Sequence, residues 1–457
     1  MPARFRIQTK GRLPGNTNEY SYRIITNKME SLILLGLLMV LILLGAPVGF
    51  TMIFLPTVYI VYTGAAPLVL IPGQMFSAID SIPLTAIPFF MLTGELMTSA
   101  TITDRLVDLS QKIIGRLRGS LAQANVLVSL FFAGMNGSVV ADTATVGSLV
   151  IPAMNRAGYK KSFSAGITAV SSTIGGIIPP SIMMIVLANA SGLSVGALFS
   201  AGIVPGILVA SLLMTINHIL AVKYNFERSK EPFSWKALGD SATKASFALI
   251  VPITLVGTVV GGVAGVVEAG ALTATISLLV GLFVYRTINF SNTLSAFNKA
   301  FRNSASVFII IAASGPFSWL LTSLGALGQL EEFLLGYSGN LFIFAIVLIS
   351  FIYLLGMIMD SAVNIIVVGP VIVEVMVKAG FPEIQAALVC IVGFLIGSVT
   401  PPLGVAYFTA ATVANATLES VAKAMIPYLV ALFFLLFILV IVPDITMWFP
   451  TYLGLVQ

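Results

Sequence analysis

Residues 174–190 read IGGIIPPSIMMIVLANA, and residues 396–412 read IGSVTPPLGVAYFTAAT. Both stretches are apolar enough to cross a membrane, yet each carries a proline pair, Pro179-Pro180 and Pro401-Pro402. Proline inside a helix removes a backbone hydrogen bond and clashes with the preceding turn, so each pair predicts a helix that breaks in its middle. The two pairs lie 222 positions apart (401 − 179). Each half of the chain is therefore expected to contain one broken helix.

The same shift of 222 positions aligns further residues of the two halves without a gap. The matched residues are Gly134-Met135 with Gly356-Met357, Gly147 with Gly369, Met154 with Met376, Ala157-Gly158 with Ala379-Gly380, Gly175 with Gly397, and Pro205 with Pro427. This agreement predicts an internal repeat. Apolar segments interrupted by Gly or Pro at corresponding positions of two halves are typical of transporter binding sites, because unwound backbone exposes its carbonyl groups. The alternative is that the prolines only kink packed membrane helices.

The composition indicates a membrane protein. Hydrophobic residues make up 58% of the 457 residues, charged residues 9%, and the mean hydropathy is +1.04. A soluble domain has about a quarter of charged residues. The apolar stretches exceed the roughly 20 residues that a spanning helix needs, and the short alternating segments of a membrane barrel are absent from the sequence. We therefore predict an all-α polytopic fold in a lipid bilayer.

Charge, cysteine and histidine counts exclude several functions. The net charge of +5 does not indicate nucleic-acid binding, because the Lys and Arg residues lie in short loops, where they mark the cytoplasmic side. Cys390 is the only cysteine, so no intrachain disulfide can form. His218 is the only histidine, which excludes a histidine metal cluster and makes a histidine proton relay a poor interpretation.

Polarity divides the chain into four predicted parts. These are a polar, basic N-terminal extension (1–28), a first repeat (29–222), a cytoplasmic linker (223–244) and a second repeat (245–457). The first apolar block, from Ser31 to about Tyr62, carries Gly45-Ala46-Pro47-Val48-Gly49 in its middle. It forms either one kinked helix or two short ones.

Each repeat is predicted to place a re-entrant helical hairpin before its broken helix. The first hairpin spans about 121–154 and its broken helix about 163–189, and the second pair spans about 341–377 and 386–411. Basic residues flank the first hairpin on both sides, namely Arg116, Arg118, Arg156, Lys160 and Lys161. If positive loops are cytoplasmic, this hairpin enters and leaves on the same side. Glu331 and Glu332 precede the second hairpin, which is then expected to enter from the opposite face, giving inverted-topology repeats.

The hairpin tips are the predicted ion sites. Asp142 and Asp360 lie in segments almost free of charge, and a carboxylate inside the membrane is by default a functional-site hypothesis. The expected partner of such a carboxylate is a sodium ion or a polar network at the hairpin tip. A sodium ion would be held by hydroxyl, amide and backbone carbonyl oxygens near each break. The predicted sodium ligands are Asn136, Ser138, Gly175, Ile178 and Pro179 in the first repeat, and Asp360, Ser361, Asn364, Gly397, Thr400 and Pro401 in the second. The alternative role of both aspartates is to cap half-helices.

A second group of polar residues is predicted to line the path of a small anionic solute. This group comprises Asp142, Ser171, Ser172, Thr173, Thr409 and Thr412. The ends of the half-helices that begin after the proline pairs would favour the negative charge of the solute. Alternatively, the hydroxyl groups bond to their own helices or to neighbouring ones.

Enzymatic interpretations find little support in the motifs. Two membrane aspartates are also a property of intramembrane aspartyl proteases, but Asp142 and Asp360 lack the Gly-x-Gly-Asp context that these enzymes use. The chain has neither H-E-x-x-H nor a Walker A motif, which argues against a metalloprotease and against ATP hydrolysis. Transport driven by an ion gradient remains, and it requires no organic cofactor.

Three motifs together resemble the large membrane subunit of tripartite ATP-independent periplasmic (TRAP) transporters. They are GMNGSVVADTATVGSLVIPAMNRAGY (134–159), STIGGIIPPSIMMIVLA (172–188) and VGFLIGSVTPPLGVAYFTAATVA (392–414). The resemblance covers the chain from about Met29 to its end. The Pro-Pro breaks alone would also fit other members of the wider ion-transporter superfamily, so a stand-alone anion transporter is the alternative.

The resemblance implies a mechanism, a location and partners. It implies an elevator-type secondary transporter of the bacterial inner membrane that is coupled to sodium, in which both hairpins and both broken helices move against a scaffold. It also implies a separate small four-helix membrane subunit and a periplasmic binding protein that delivers a small organic anion. Family substrates include sialic acid and C4-dicarboxylates, and of these the resemblance favours sialic acid.

Overall fold

The computed structural model of the chain describes residues 30, 33–115, 117–226 and 234–456. The predicted N-terminal extension 1–28 lies outside the described residues, as does the central part of the predicted linker, 227–233. The regular elements in the described part of the chain are helices. Seven of them are long and apolar enough to cross a membrane, or nine if two bent helix pairs each count as one span. The predicted all-α polytopic fold is confirmed.

The first repeat contains eleven α-helices and one short 3₁₀ turn. They are α1 (Ile33–Leu43), α2 (Val48–Thr63), α3 (Leu70–Ile79), the 3₁₀ turn Ile82–Thr85, α4 (Ala86–Ser99), α5 (Ile102–Ile114), α6 (Ser120–Asn136), α7 (Val139–Arg156), α8 (Lys161–Ser171), α9 (Ile174–Ile177), α10 (Ile182–Ser191) and α11 (Val195–Lys223). The first apolar block forms two short helices. Gly45 between them takes φ +89°, and Pro47 begins α2, which explains the separation.

The second repeat begins closer to the first than the polarity predicts. Its helices are α12 (Trp235–Val260), α13 (Val266–Leu279, continued by a π-helical turn to Val284), α14 (Phe290–Ser323), α15 (Ala326–Leu335), α16 (Leu341–Ile358), α17 (Ser361–Val367), α18 (Gly369–Lys378), α19 (Glu383–Gly397), α20 (Val405–Ala414), α21 (Leu418–Ile441) and α22 (Asp444–Tyr452). Since α11 ends at Lys223 and α12 begins at Trp235, the connection is residues 224–234, which is shorter than the predicted linker 223–244.

Two differences between the repeats have local causes. The single helix α14 occupies the positions that α3, the 3₁₀ turn and α4 occupy in the first repeat, where Pro83 falls at the start of the 3₁₀ turn. The second arm of the second hairpin is bent by 52° between α17 and α18. Pro370 follows this bend, whereas Ser148 stands at the corresponding position of the continuous helix α7, so proline accounts for the difference.

The helices assemble into two packed groups. The first group consists of α2, α3, α4, α12, α13 and α14, and the second of both hairpins (α6–α7 and α16–α18), both broken helices (α8–α10 and α19–α20), α11 and α21. The amphipathic helix α5 packs between α6 and α12, and its counterpart α15 contacts α14, α16 and α18. These two helices therefore connect the groups.

The two repeats are interleaved inside the second group. Helix α10 of the first broken helix packs on α17 and α18 of the second hairpin, and α20 of the second broken helix packs on α7 and α8 of the first repeat. In each broken helix, the half that follows the proline pair therefore packs on helices of the other repeat.

Candidate functional site

The tip of the first hairpin lies directly on the first helix break. Gly137 forms the turn with φ +60°, a left-handed conformation that favours glycine. A Cβ atom at this position would lie 2.6 Å from the carbonyl oxygen of Pro180 and 3.3 Å from the Cα of Ser181. Glycine is therefore required both by the turn and by the close approach of the two backbones. The Asn136-Gly137-Ser138 tip is where the sequence predicts it, while the side chain of Asn136 lies outside the described residues.

Asp142 is buried beside the same break. Its relative exposure is 1%, and neither carboxylate oxygen has a hydrogen bond of normal geometry among the residues that the structure describes. The Ser129 hydroxyl is the polar side-chain group that interacts with it. A Cβ atom on Gly175 would lie 3.6 Å from the Cβ of Asp142 and 3.9 Å from the carbonyl oxygen of Ser138. Ser138 is the N-cap of α7, and its hydroxyl oxygen accepts a 3.5 Å hydrogen bond from the Ala141 N–H. The structure thus brings Ser138, Asp142 and Gly175 together from two separate segments.

Ser181 organises the first break and was missed by the sequence analysis. Its hydroxyl donates to the carbonyl oxygen of Gly176 at 2.6 Å and accepts from the Met184 N–H at 3.4 Å. It therefore bridges the gap between α9 and α10 and begins the second half-helix. The signal that could have found it is a serine directly after a proline pair and before an apolar helix, which is the pattern of an N-cap. Leu403 occupies the corresponding position in the second repeat.

The second hairpin is tied at its tip by three polar side chains. Asp360 begins α17, and its carboxylate accepts a 2.9 Å hydrogen bond from the Ala362 N–H. The Ser361 hydroxyl donates to the Phe394 carbonyl oxygen of α19 at 3.2 Å. The amide nitrogen of Asn364 donates to the carbonyl oxygens of Leu355 and Met359, each at 3.2 Å. Asp360 thus has the capping role that the sequence analysis named as its alternative.

Gly356 and Gly397 allow the second hairpin to contact the second broken helix through backbone atoms. A Cβ atom on Gly356 would lie 2.8 Å from the Cα of Gly397, and one on Gly397 would lie 2.6 Å from the Cα of Gly356. Gly397 is the last residue of α19, close to the break. Thr400 and Pro401 follow it and are half-buried, and the Thr400 hydroxyl donates to the Ile396 carbonyl oxygen at 2.7 Å.

The shift of 222 positions also pairs the polar residues of the two hairpins. Asp360 corresponds to Ser138, and each is the N-cap of the second arm of its hairpin. Asp142 corresponds to Asn364. Asn364 is fully buried, and its side-chain oxygen also lacks a hydrogen-bond partner in the described part of the chain. Each repeat therefore holds a buried side chain with unpaired oxygen at the same place.

The residues predicted for the solute path lie in two different environments. Ser171, Ser172 and Thr173 are fully buried, and their hydroxyls donate to carbonyl oxygens one turn earlier at 2.7–3.2 Å. Ser171 and Ser172 also contact the first hairpin through Ser129 and Thr143. By contrast, Thr409 is half-exposed and Thr412 exposed on α20, and each bonds to a carbonyl of its own helix. Ile178 and Pro179 lie at the first break itself, half-buried and buried.

A transition-metal centre does not form within residues 33–115, 117–226 and 234–456, where no three His, Cys, Asp or Glu side chains group together. The oxygens near the two breaks are instead carboxylate, amide, hydroxyl and backbone carbonyl groups. These are ligands that a hard cation prefers. The donor set therefore fits Na⁺ better than a metal that binds through nitrogen or sulfur.

Comparison with known families agrees with this geometry. Residues 35–445 match the family model described as "Tripartite ATP-independent periplasmic transporter, DctM component". The chain belongs to the DctM family. The TRAP resemblance of its motifs is thus confirmed, and the protein is a transporter subunit and not an enzyme. The intramembrane protease hypothesis is wrong for this DctM protein.

Relatives of this DctM protein carry different solutes in their names. It is 29% identical over 410 residues to the "Sialic acid TRAP transporter large permease protein SiaM" of Vibrio cholerae, covering 90% of this chain and 96% of the relative. It is 31% identical over 382 residues to the "C4-dicarboxylate TRAP transporter large permease protein DctM" of Pseudomonas aeruginosa, covering 84% and 89%. Since the two identities are nearly equal, overall similarity does not decide the solute.

A solved structure shares the fold of this DctM protein. The YdaH transporter of Alcanivorax borkumensis superimposes with a TM-score of 0.59 over 85% of this chain and 88% of its own, at 14% sequence identity. At this identity the likeness concerns the fold alone.

Proposed function

We propose that this protein is the large permease of a TRAP transporter that imports a small organic anion into a bacterial cell by sodium-coupled secondary transport. It would reside in the inner membrane and act with a small four-helix membrane subunit and a periplasmic binding protein. The observation that carries the sodium coupling is the pair of buried side chains with unpaired oxygens, Asp142 and Asn364, at equivalent positions beside the two breaks.

A bound cation would remove an energetic penalty at both positions. A buried polar atom without a hydrogen-bond partner costs about 1–3 kcal/mol, and a buried charge costs more. Na⁺ near Asp142 would be within reach of the Ser138 and Gly175 backbone, and Na⁺ near Asn364 would be within reach of the carbonyls around Gly397. We therefore assign Asp142 primarily to the ion site of the first repeat, although the sequence analysis placed it in the solute path.

The packing supports an elevator movement of one helix group against the other. The scaffold would be α2–α4 and α12–α14, and the moving part would be the hairpins and broken helices. The two groups meet where α17 packs on α14, where α6 packs on α4 and α12, and where α11 packs on α12. They also meet where the Ser81 hydroxyl donates to the side-chain oxygen of Asn189 on α10, and this single polar contact can be exchanged during transport.

The solute is proposed to be an organic acid of the sialic acid or C4-dicarboxylate type, with sialic acid to be tested first. This proposal rests on the names of the relatives. A periplasmic binding protein would select the solute before it reaches this chain.

Reconstitution in liposomes tests the proposal. The liposomes are given radiolabelled sialic acid or a radiolabelled C4-dicarboxylate. We expect uptake only when both an inward sodium gradient and an added binding protein are present. Uptake without the binding protein would support the stand-alone anion transporter. Uptake unaffected by replacing sodium with potassium would contradict sodium coupling.

One residue variant sharpens this test. Asp360→Ala removes the cap of α17 and an oxygen at the second tip, and we expect it to reduce sodium-dependent uptake at least tenfold while the protein remains folded. The matched control is Asp240→Ala, because Asp240 is an exposed aspartate on α12. Wild-type sodium dependence in Asp360→Ala would refute the role of the second hairpin tip.

A further inference from the structure

A cavity of about 630 Å³ opens where the first hairpin leaves the membrane region, away from both helix breaks. Its walls are the connection between α7 and α8, the end of α11 and the start of α21. All three segments belong to the Lys- and Arg-rich face that the positive-inside rule assigns to the cytoplasm. The proposed transport function makes no use of this cavity.

The cavity is positively charged. Lys160 and Lys423 line it from different helices, and no Asp or Glu is among the described residues of its lining. Lys423 forms an ion pair with Glu419 at 2.7 Å, but both side chains are more than two-thirds exposed. Such an exposed pair contributes little and can be exchanged for another anion.

Hydrogen-bond donors accompany the two lysines. Lys160 precedes the first turn of α8, and within the described residues no side chain caps this turn. The positive end of an 11-residue helix thus faces the cavity, together with the Ser162 hydroxyl.

Aromatic side chains form an apolar wall beside these donors. The rings of Tyr159 and Phe226 lie 4.5 Å apart, and those of Phe163 and Phe226 lie 5.1 Å apart. Burial raises the pKa of Tyr159 to about 12, so this ring carries no competing negative charge near neutral pH. A cluster of cations next to aromatic rings is typical of the boundary between the bilayer and water.

We infer that this cavity binds a phosphate group through Lys160, Lys423 and the start of α8, and that an acidic phospholipid headgroup supplies it. Basic pockets between membrane helices on the cytoplasmic side bind acidic lipid headgroups. The aromatic wall would pack against the glycerol and upper acyl region of the lipid. A free phosphate anion shares the headgroup chemistry but would leave this wall without a partner.

Native mass spectrometry of the full-length protein in detergent tests the inference. Phosphatidylglycerol is titrated against wild type and against Lys160→Gln/Lys423→Gln, with phosphatidylcholine as the zwitterionic reference lipid. At about fivefold per lysine near a membrane surface, the double variant should bind phosphatidylglycerol roughly 30-fold more weakly. The matched control is Lys236→Gln, because Lys236 is an exposed lysine at the start of α12 outside the cavity.

The outcomes are distinct. Selective loss of phosphatidylglycerol in the double variant, with Lys236→Gln and the melting temperature unchanged, supports the lipid site. Displacement of the lipid by millimolar inorganic phosphate, together with phosphate binding in the absence of lipid, would assign the site to a free anion and overturn the lipid source. Equal phosphatidylglycerol binding in all three proteins would overturn the site altogether.

Discussion

Replacing Asp142 by asparagine separates the energetic cost of the buried carboxylate from its proposed use as a sodium ligand. The side chain keeps its shape but loses its negative charge, at a position that is 1% exposed and has two unpaired oxygens in the described structure. Without sodium, the carboxylate has no charge partner among the described residues, so loss of its charge should not destabilise the protein. With sodium, the variant should lose the ion-dependent part of its stability.

The sodium-dependent part can be calculated by linkage. For a dissociation constant of about 10 mM, sodium at about 100 mM stabilises the folded state by roughly 1.4 kcal/mol, and a tenfold loss of affinity reduces this to roughly 0.4 kcal/mol. We therefore expect Asp142→Asn to lose about 1 kcal/mol of sodium-linked stability. Cys390 is the only cysteine and is buried, so thiol labelling during an SDS titration reports unfolding.

An exposed aspartate on α12 provides the control for this experiment. Asp240→Asn changes an exposed aspartate and should leave the difference between sodium and choline buffers as in wild type. If Asp142→Asn shows the same sodium-dependent stabilisation as wild type, the carboxylate does not contact the ion. If it is instead destabilised in choline buffer, the carboxylate has a hydrogen-bonding role that the geometry does not explain.

Two further variants test the packing around the site by the same unfolding assay. Gly356→Ala places a Cβ 2.8 Å from the Cα of Gly397, where only backbone atoms could move, and should lower the free energy of unfolding by about 1–3 kcal/mol. Its control is Gly257→Ala, whose Cβ meets no atom within 4 Å and should change the free energy of unfolding by less than about 1 kcal/mol. Tyr428→Phe removes the 2.5 Å hydrogen bond to the buried side-chain oxygen of Asn217 and should cost about 1–3 kcal/mol, whereas the exposed Tyr452→Phe should be neutral. Wild-type stability of Gly356→Ala, or equal effects of the two tyrosine variants, would contradict the close packing described for these sites.

Features with a local chemical cause could be predicted from the sequence. The proline pairs break their helices, and the first hairpin turns at Gly137 because only glycine fits the positive φ and the contact with Pro180. Pro47 likewise separates α1 from α2, although the sequence left one kinked helix open as an alternative. In each case a single residue type decides the backbone conformation.

Features that depend on tertiary contacts were not predicted. The interleaving of the repeats, with α10 on the second hairpin and α20 on the first, cannot be derived from periodicity because it joins segments that are far apart in the sequence. The bridge from Ser181 to Gly176 needs the shape of the break, which the sequence does not specify.

The equivalence of Asp142 and Asn364 was also not predicted from the sequence. Asp142 is predicted to line the solute path and Asn364 to bind sodium, whereas alignment of the repeats places the two residues at equivalent positions. The required shift of 222 positions was already available from the sequence. The sequence does not show that Asn364 is buried or that its side-chain oxygen lacks a partner in the described residues. These two properties make the position of Asn364 equivalent to that of Asp142.

The central claim is that each repeat holds one sodium ion beside its helix break, through Asp142 in the first repeat and Asn364 in the second. Equilibrium binding of radioactive sodium to the purified full-length protein tests it most directly. We predict that Asp142→Asn and Asn364→Ala each bind about half as much sodium at saturation as wild type, while Asp240→Asn binds the full amount. Unchanged sodium binding in both Asp142→Asn and Asn364→Ala would contradict the claim.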